Sequence, residues 1–228
     1  MNFLPGRVVS RAYGAFRRAR KLAFALILAG TPIAAEPVTI AALGDSLTQG
    51  FGLAPDQGFV PQLGGWLEEQ GIEAELINAG VSGDTTAGGL ARVDWTLTPE
   101  VDAMIVALGG NDLLRGIEPS VSRANLRGIL EAAGARDLPV LLVGLEAPNN
   151  YGAEFKQAFE AMYPELAAEF GTLVYPDFLA PLRAEAEDPA ALQRFMQTDG
   201  IHPSAEGVAR IVDGIGPSVA ALAGAAGD

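Results

Sequence analysis

The sequence contains no cysteine, a single histidine, and only 15 lysines and arginines against 28 aspartates and glutamates. Without cysteine there is no disulfide, no thiolate nucleophile and no zinc-thiolate site, so the fold must be held by its core alone. One histidine among carboxylates is a poor donor set for a transition metal, and any imidazole chemistry in this chain falls to His202. The shortage of positive charge gives a formal net charge of −13. An acidic surface repels phosphate backbones, so no nucleic-acid partner is expected. The chain also lacks internal repeats, long low-complexity linkers and any signal for an oligomeric state; its 228 residues suit one well-buried domain.

Acidic residues are missing altogether from the first 35 positions. The charges there are Arg7, Arg11, Arg17, Arg18, Arg20 and Lys21, followed by the apolar run LAFALILAG and the small residues Ala34 and Ala35. A basic start, a short apolar core and small residues at the exit form the pattern of a secretory signal peptide. Residues 1–35 are therefore expected to be a signal cleaved near Glu36, and residues 36–228 the single folded domain of a periplasmic or secreted protein. The apolar run falls short of the roughly 20 residues of a membrane span. No stable span is expected after cleavage; an uncleaved N-terminal anchor is the alternative. Cleavage leaves nine basic residues against 28 acidic ones, a net charge of −19.

Apolar runs at 38–43, 74–77, 103–108, 140–143 and 173–174 are bounded by Gly, Pro or Asn and read as buried strands. Segments with helical spacing at 59–69, 86–95, 121–133, 154–170 and 205–222 lie between and after them. Strand and helix alternate, which calls for an α/β fold with a parallel sheet covered by helices on both faces. The closing AGAAGD reads as a frayed tail. In open sheets of this kind ligands bind beyond the carboxyl ends of the strands. Every strand exit here is rich in glycine and polar residues: GDSL at 44–47, NAGVSGDT at 78–85, LGGND at 108–112, EAPNNYG at 146–152, and DGIHP at 199–203 before the last helix.

A nucleophilic serine needs a base to take its proton and a third group to orient that base. Ser46 falls at a strand end, with Gly44 read as the point where the backbone leaves the strand. Asp199 stands three residues before His202, a spacing that lets a carboxylate reach the near ring nitrogen across a tight turn. Gly200 eases that turn and Pro203 stiffens its exit. Negative charge developing on a substrate oxygen calls for preorganised donors, each worth about 2.7 to 4 kcal/mol. The same rim offers the backbone N–H groups of Ser46 and Gly83 and the side-chain amide of Asn111. Taken singly, His202 could be a surface residue, Asp199 a turn former, Ser46 a helix cap and Gly83 an ordinary turn glycine; their meeting on one rim is what favours chemistry. Asp45 is read as a loop-holding residue, with a catalytic acid as the sharper alternative. Leu47, Leu113, Leu114 and Pro148 are candidates to meet an acyl chain, or to pack against their own domain. A metal-dependent hydrolase using Asp84, Asp112 and His202, a carbohydrate O-acetyl esterase and an exported non-catalytic binding module are the rival readings.

The four ordered blocks GDSL (44–47), the glycine of SGDT (83), GGND (109–112) and DGIH (199–202) resemble those of the SGNH (GDSL) hydrolase family across nearly the whole of residues 36–228. GLARVDW, NDLLRG and NNYGAEF extend the similarity, which is strongest to the exported branch that includes acyl-CoA thioesterase I, lysophospholipase L1 and arylesterase. The resemblance implies a three-layer α/β/α sandwich with a central, mostly parallel five-stranded sheet of flavodoxin-like type. It also implies Ser46 as nucleophile, His202 as base, Asp199 as its orienting group, and Gly83 and Asn111 completing the oxyanion hole with the Ser46 amide. The implied reaction is hydrolysis of carboxylic esters or thioesters (aryl esters, acyl-CoA, lysophospholipids) through an acyl-enzyme, with a small-molecule substrate and neither metal nor organic cofactor. A histidine base must be neutral to accept a proton, so activity is expected to rise toward neutral or mildly alkaline pH.

Overall fold

A computed structural model of the chain describes residues 37–186 and 189–227; the expected signal segment lies outside the described residues. The five apolar runs form strands β1 (Val38–Gly44), β2 (Ala74–Gly80), β3 (Ala103–Ala107), β4 (Val140–Val143) and β5 (Leu173–Tyr175). All pair in parallel, in the order β2-β1-β3-β4-β5. This is the flavodoxin-like order, in which the chain first adds strands on one side of β1 and then on the other.

Side chains on a strand alternate between faces, and the core divides accordingly. Ile40, Ala42, Ile105, Leu141 and Val143 face one way, against α2 (Phe59–Glu69), α7 (Ala180–Glu185) and α9 (Ala205–Gly227). Ala41, Leu43, Met104, Val106 and Leu142 face the other, against α3 (Thr86–Thr96), α5 (Pro119–Gly134) and α6 (Ala153–Phe170). The result is a three-layer α/β/α sandwich. Each fully buried Leu or Ile in these layers contributes about 1.5–3 kcal/mol, so the absence of disulfides is met by two cores rather than one.

Four short helices had no sequence signature: α1 (Ser46–Gln49), α4 (Gly110–Leu114), α7 and α8 (Pro189–Leu192). None of them shows the two full turns over which a 3.6-residue period becomes visible. The frayed-tail reading of AGAAGD is corrected, since α9 runs on to Gly227 and Ala223 is buried against the sheet. Among the described residues α9 alone is long and apolar enough to cross a membrane. Its Val208, Ile211, Ile215, Val219 and Leu222 are instead buried in the core. Gly44 is the last residue of β1, in register with Gly80 and Ala107, so the chain leaves the strand there as expected. A Cβ there would collide with the Thr48 side chain, so the missing side chain lets α1 fold back directly over the end of β1.

Candidate active site

β1 and β3 exit at the point where strand order reverses, and the predicted rim residues gather there. Asp45 caps α1, its Oδ1 accepting the Leu47 N–H at 3.0 Å, and Ser46 is the first residue of that helix. On the loop before α9, the Asp199 Oδ1 accepts the backbone N–H groups of Ile201 (2.9 Å) and His202 (3.0 Å). Its Oδ2 lies 2.7 Å from His202 Nδ1. The far ring nitrogen, Nε2, stands 2.9 Å from Ser46 Oγ, across 156 residues of chain. The Asp199 carboxyl is held down at about 2, chiefly by its hydrogen bond with the imidazole and then by the backbone N–H groups of His202 and Ile201. An ionised carboxylate only accepts, so the Nδ1 proton points at Asp199 and Nε2 keeps a lone pair for the serine hydroxyl. The Phe51 ring, 4.7 Å from the imidazole, lies against it. Gln197 ties the two loops together, with Nε2 donating to Phe51 O (2.8 Å) and Pro203 O (3.0 Å).

Three residues that carry N–H donors, Ser46, Gly83 and Asn111, line the same cavity. Gly83 is the third residue of a turn closed by Asp84 N to Val81 O at 3.1 Å, and its φ of +84° is the positive value that a type II turn demands there. The Gly83 and Ser46 backbone N–H groups have no hydrogen-bond partner among the described residues. Asn111, in the first turn of α4, donates one amide hydrogen to Asp45 Oδ2 at 3.2 Å, leaving the other free. Asp45 therefore holds the loop and steers Asn111, and its side chain hydrogen-bonds to neither Ser46 Oγ nor the imidazole.

These residues border a cavity of about 310 Å³. Of the four apolar candidates, Leu47, Leu113 and Leu114 line it and Pro148 does not. Beyond β4 the chain is pinned to α6, with Ala147 N donating to Glu160 Oε1 (3.0 Å) and Ala147 O accepting from Lys156 Nζ (2.6 Å). Pro148 is thereby turned out to solvent. Its place in the wall is taken by Leu145 and Glu146, joined by Phe51, Leu179 and Ile201. Ile201, inside DGIHP, and Leu145, directly before EAPNNYG, were within reach of the sequence signal. Phe51 and Leu179 stand in stretches with no chemical pattern.

The carboxylates of the metal reading are committed elsewhere. Asp84 pairs with Arg92 at 2.6 Å. Asp112 is fully buried and accepts from Thr86 N (2.8 Å), Thr86 Oγ1 (2.6 Å) and Ser122 Oγ (2.9 Å). Among the described residues no three His, Asp or Glu side chains are grouped to hold an ion.

Asp45 is 2% exposed, and burial pushes its carboxyl up from 3.8 to about 6, against the opposing hydrogen bonds from Leu47 and Asn111. A folded-state value above the unfolded one means that the folded protein holds a proton the unfolded chain has released. The corresponding stability is present below about pH 4 and is lost between about pH 4 and 6, to the extent of about 3 kcal/mol at ~1.4 kcal/mol per unit. Asp45→Asn cannot ionise. Its stability relative to wild type, from urea titrations, is expected to improve by about that amount between pH 4 and 7. A difference that stays constant with pH would show that Asp45 ionises freely in the fold.

The GDSL-like lipase/acylhydrolase family model matches residues 42–210. The chain is 38% identical over 199 residues to esterase TesA of Pseudomonas aeruginosa, covering 87% of this chain and 94% of that protein. It is 34% identical over 193 residues to the thioesterase 1/protease 1/lysophospholipase L1 of Escherichia coli K12, covering 84% and 88%. Among solved structures, the SGNH-hydrolase family esterase AlinE4 superposes with a TM-score of 0.66 at 43% identity, over 82% of this chain and 97% of AlinE4.

Proposed function

The chain belongs to the GDSL-like lipase/acylhydrolase family and is a serine hydrolase of carboxylic esters, and on that premise we propose that it works through an acyl-enzyme on Ser46. His202 Nε2 takes the Ser46 hydroxyl proton as Oγ adds to the substrate carbonyl carbon. The carbonyl oxygen, now an oxyanion, accepts hydrogen bonds from the Ser46 and Gly83 N–H groups and the free hydrogen of Asn111. Collapse breaks the bond to the alcohol or thiol, which leaves with the proton from His202. A water then gives its proton to His202 and adds to the acyl carbon, and the acid departs as Ser46 recovers its hydrogen. Asp199 keeps the imidazole in the required tautomer and steadies its charge throughout. The observation that carries this reading is the 2.9 Å approach of His202 Nε2 to Ser46 Oγ with Asp199 2.7 Å behind the ring.

The substrate class is an ester or thioester with an apolar acyl chain, in the range of the relatives named esterase, thioesterase and lysophospholipase. Support comes from the leucines at 47, 113, 114, 145 and 179 in the cavity wall. An acetylated sugar would find few polar partners there. Residues 1–35 act as a signal peptide, and residues 36–228 as a single exported domain.

One experiment tests the reading. Fluorophosphonates of increasing alkyl length are reacted with the exported protein, and the adduct is located by mass spectrometry. The label is expected on Ser46, with a rate that rises about four-fold per added methylene until the cavity is filled, the value of about 0.8 kcal/mol per buried CH₂. The same masses are expected to begin at Glu36. A label on another residue removes Ser46 as nucleophile, and a flat dependence on chain length removes the apolar acyl site.

A further inference from the structure

Two of the three donors read as the oxyanion hole are backbone N–H groups on separate loops, one after β1 and one after β2. A single oxyanion accepts from both only if the two loops are held at a fixed separation. The side chain that spans them comes from outside the cavity, from the GLARVDW stretch of α3. Arg92 donates from Nη2 to Gly44 O (2.8 Å), from Nη1 to Ala79 O (2.7 Å) and from Nε to Asp84 Oδ2 (2.6 Å). Gly44 ends β1 two residues before Ser46, Ala79 stands near the end of β2, and Asp84 directly follows Gly83. Gly44 O also accepts Val81 N at 3.0 Å, so the turn carrying Gly83 is fastened at its first residue to β1 and at its last to the guanidinium.

We propose that Arg92 is a positioning residue for the oxyanion hole, holding the Ser46 and Gly83 N–H groups at the spacing one developing oxyanion requires. The proposal rests on the reading of those N–H groups as oxyanion donors. The chemistry suits arginine alone. A guanidinium presents its donors in a rigid planar fork and meets three acceptors at once, whereas a lysine ammonium is a single flexible point. The Arg92 and Asp84 side chains are 22% and 19% exposed, so the pair is shielded enough to keep its geometry. Misplacement of a reacting group by about 1 Å can lower rate by roughly 10²-fold; the other side-chain links between the two segments, Ser82 Oγ to Gln49 Oε1 and Asn78 Nδ2 to Gln49 O (3.3 Å), are single hydrogen bonds, whereas Arg92 makes three.

The test compares Arg92→Lys with wild type on a short-chain p-nitrophenyl ester and on an alkylboronic acid, which forms a tetrahedral adduct with the serine hydroxyl. Arg92→Lys is expected to lower kcat by about 10- to 100-fold with KM changed less than about three-fold, and to weaken boronate inhibition by the same factor as kcat. A purely structural role would leave boronate affinity untouched in the folded fraction. A folded Arg92→Lys with wild-type kcat and boronate affinity overturns the proposal. Should Arg92→Lys not fold, Asp84→Asn decides: a lower kcat at constant KM supports the clamp, and unchanged kcat overturns it. Asn111→Ala, measured with the same boronate, separates the two levels. Weaker inhibition there but not in Arg92→Lys removes only the role of Arg92, and no weakening in either removes the oxyanion hole itself.

Discussion

Alanine at Ser46 or at His202 is expected to lower kcat by about a millionfold, and alanine at both to lower it no further. As the proposed nucleophile and base, the two side chains form one device. With Nε2 2.9 Å from Oγ, the hydroxyl is a useful nucleophile only because the imidazole can take its proton, and the imidazole has no other proton to take in the first step. Removing either leaves the donors and the cavity to act on a water attack, which is why about 10³- to 10⁴-fold catalysis over water is expected to survive. Asp199→Ala should fall between these limits, near a ten-thousandfold loss, since the imidazole remains but loses the contact that fixes its tautomer and steadies its charge. It should also loosen the turn itself, because Asp199 Oδ1 holds the Ile201 and His202 N–H groups. The check is single-turnover kinetics on the three single variants and the Ser46/His202 double variant, each with an intact thermal transition. A double variant slower than wild type by the product of the two single effects would mean that Ser46 and His202 act independently, and the shared proton would have to be abandoned.

The sheet and its covering helices were legible because burial leaves a periodic trace. The run 103–108 is apolar at every position since β3 is buried on both faces, and 205–222 shows a helical stripe since α9 packs on the sheet through one side. The meeting of Ser46, His202 and Asp199 was legible for a different reason: in a chain with one histidine, the base of any such proposed site is decided by elimination. What stayed hidden was geometry set by contacts between distant segments. The turn of Pro148 away from the cavity depends on Glu160 and Lys156 of α6, residues with no local signature of that role. Phe51 and Leu179 reach the site through loop paths that hydrophobic periodicity does not encode. Arg92 stands in the GLARVDW stretch, and only the folded arrangement brings its guanidinium to three acceptors on two strand exits.

Asn111→Ala is expected to lower kcat by about 10²- to 10³-fold while leaving KM near its wild-type value, the equivalent of about 2.7–4 kcal/mol of transition-state stabilisation. The split follows from when the charge appears. A ground-state carbonyl is a modest acceptor, whereas the oxygen of the tetrahedral intermediate carries nearly a full charge, so a donor lost from the hole is felt mainly on kcat. Asn111 is also preset for that moment: its amide is anchored by one hydrogen on Asp45 Oδ2 at 3.2 Å, and its other hydrogen is free without further reorganisation. Truncation has a second consequence that tests the same geometry. Asp45 loses one of the hydrogen bonds that hold its carboxyl down against burial, so its titration should move above the present value of about 6. The stability of Asn111→Ala relative to wild type should therefore worsen as pH rises from 5 to 8, whereas a variant lacking only an exposed amide would show a constant difference. Gly83→Ala gives the complementary case. It keeps the N–H but places a Cβ at φ +84°, a conformation that costs an L-residue roughly 1–2 kcal/mol. Relief of that strain would rotate the N–H away, so kcat should fall with KM retained, although no donor has been deleted. If Asn111→Ala instead raised KM at constant kcat, the amide would be a ground-state binding group, and the oxyanion would have to be held by the two backbone donors alone.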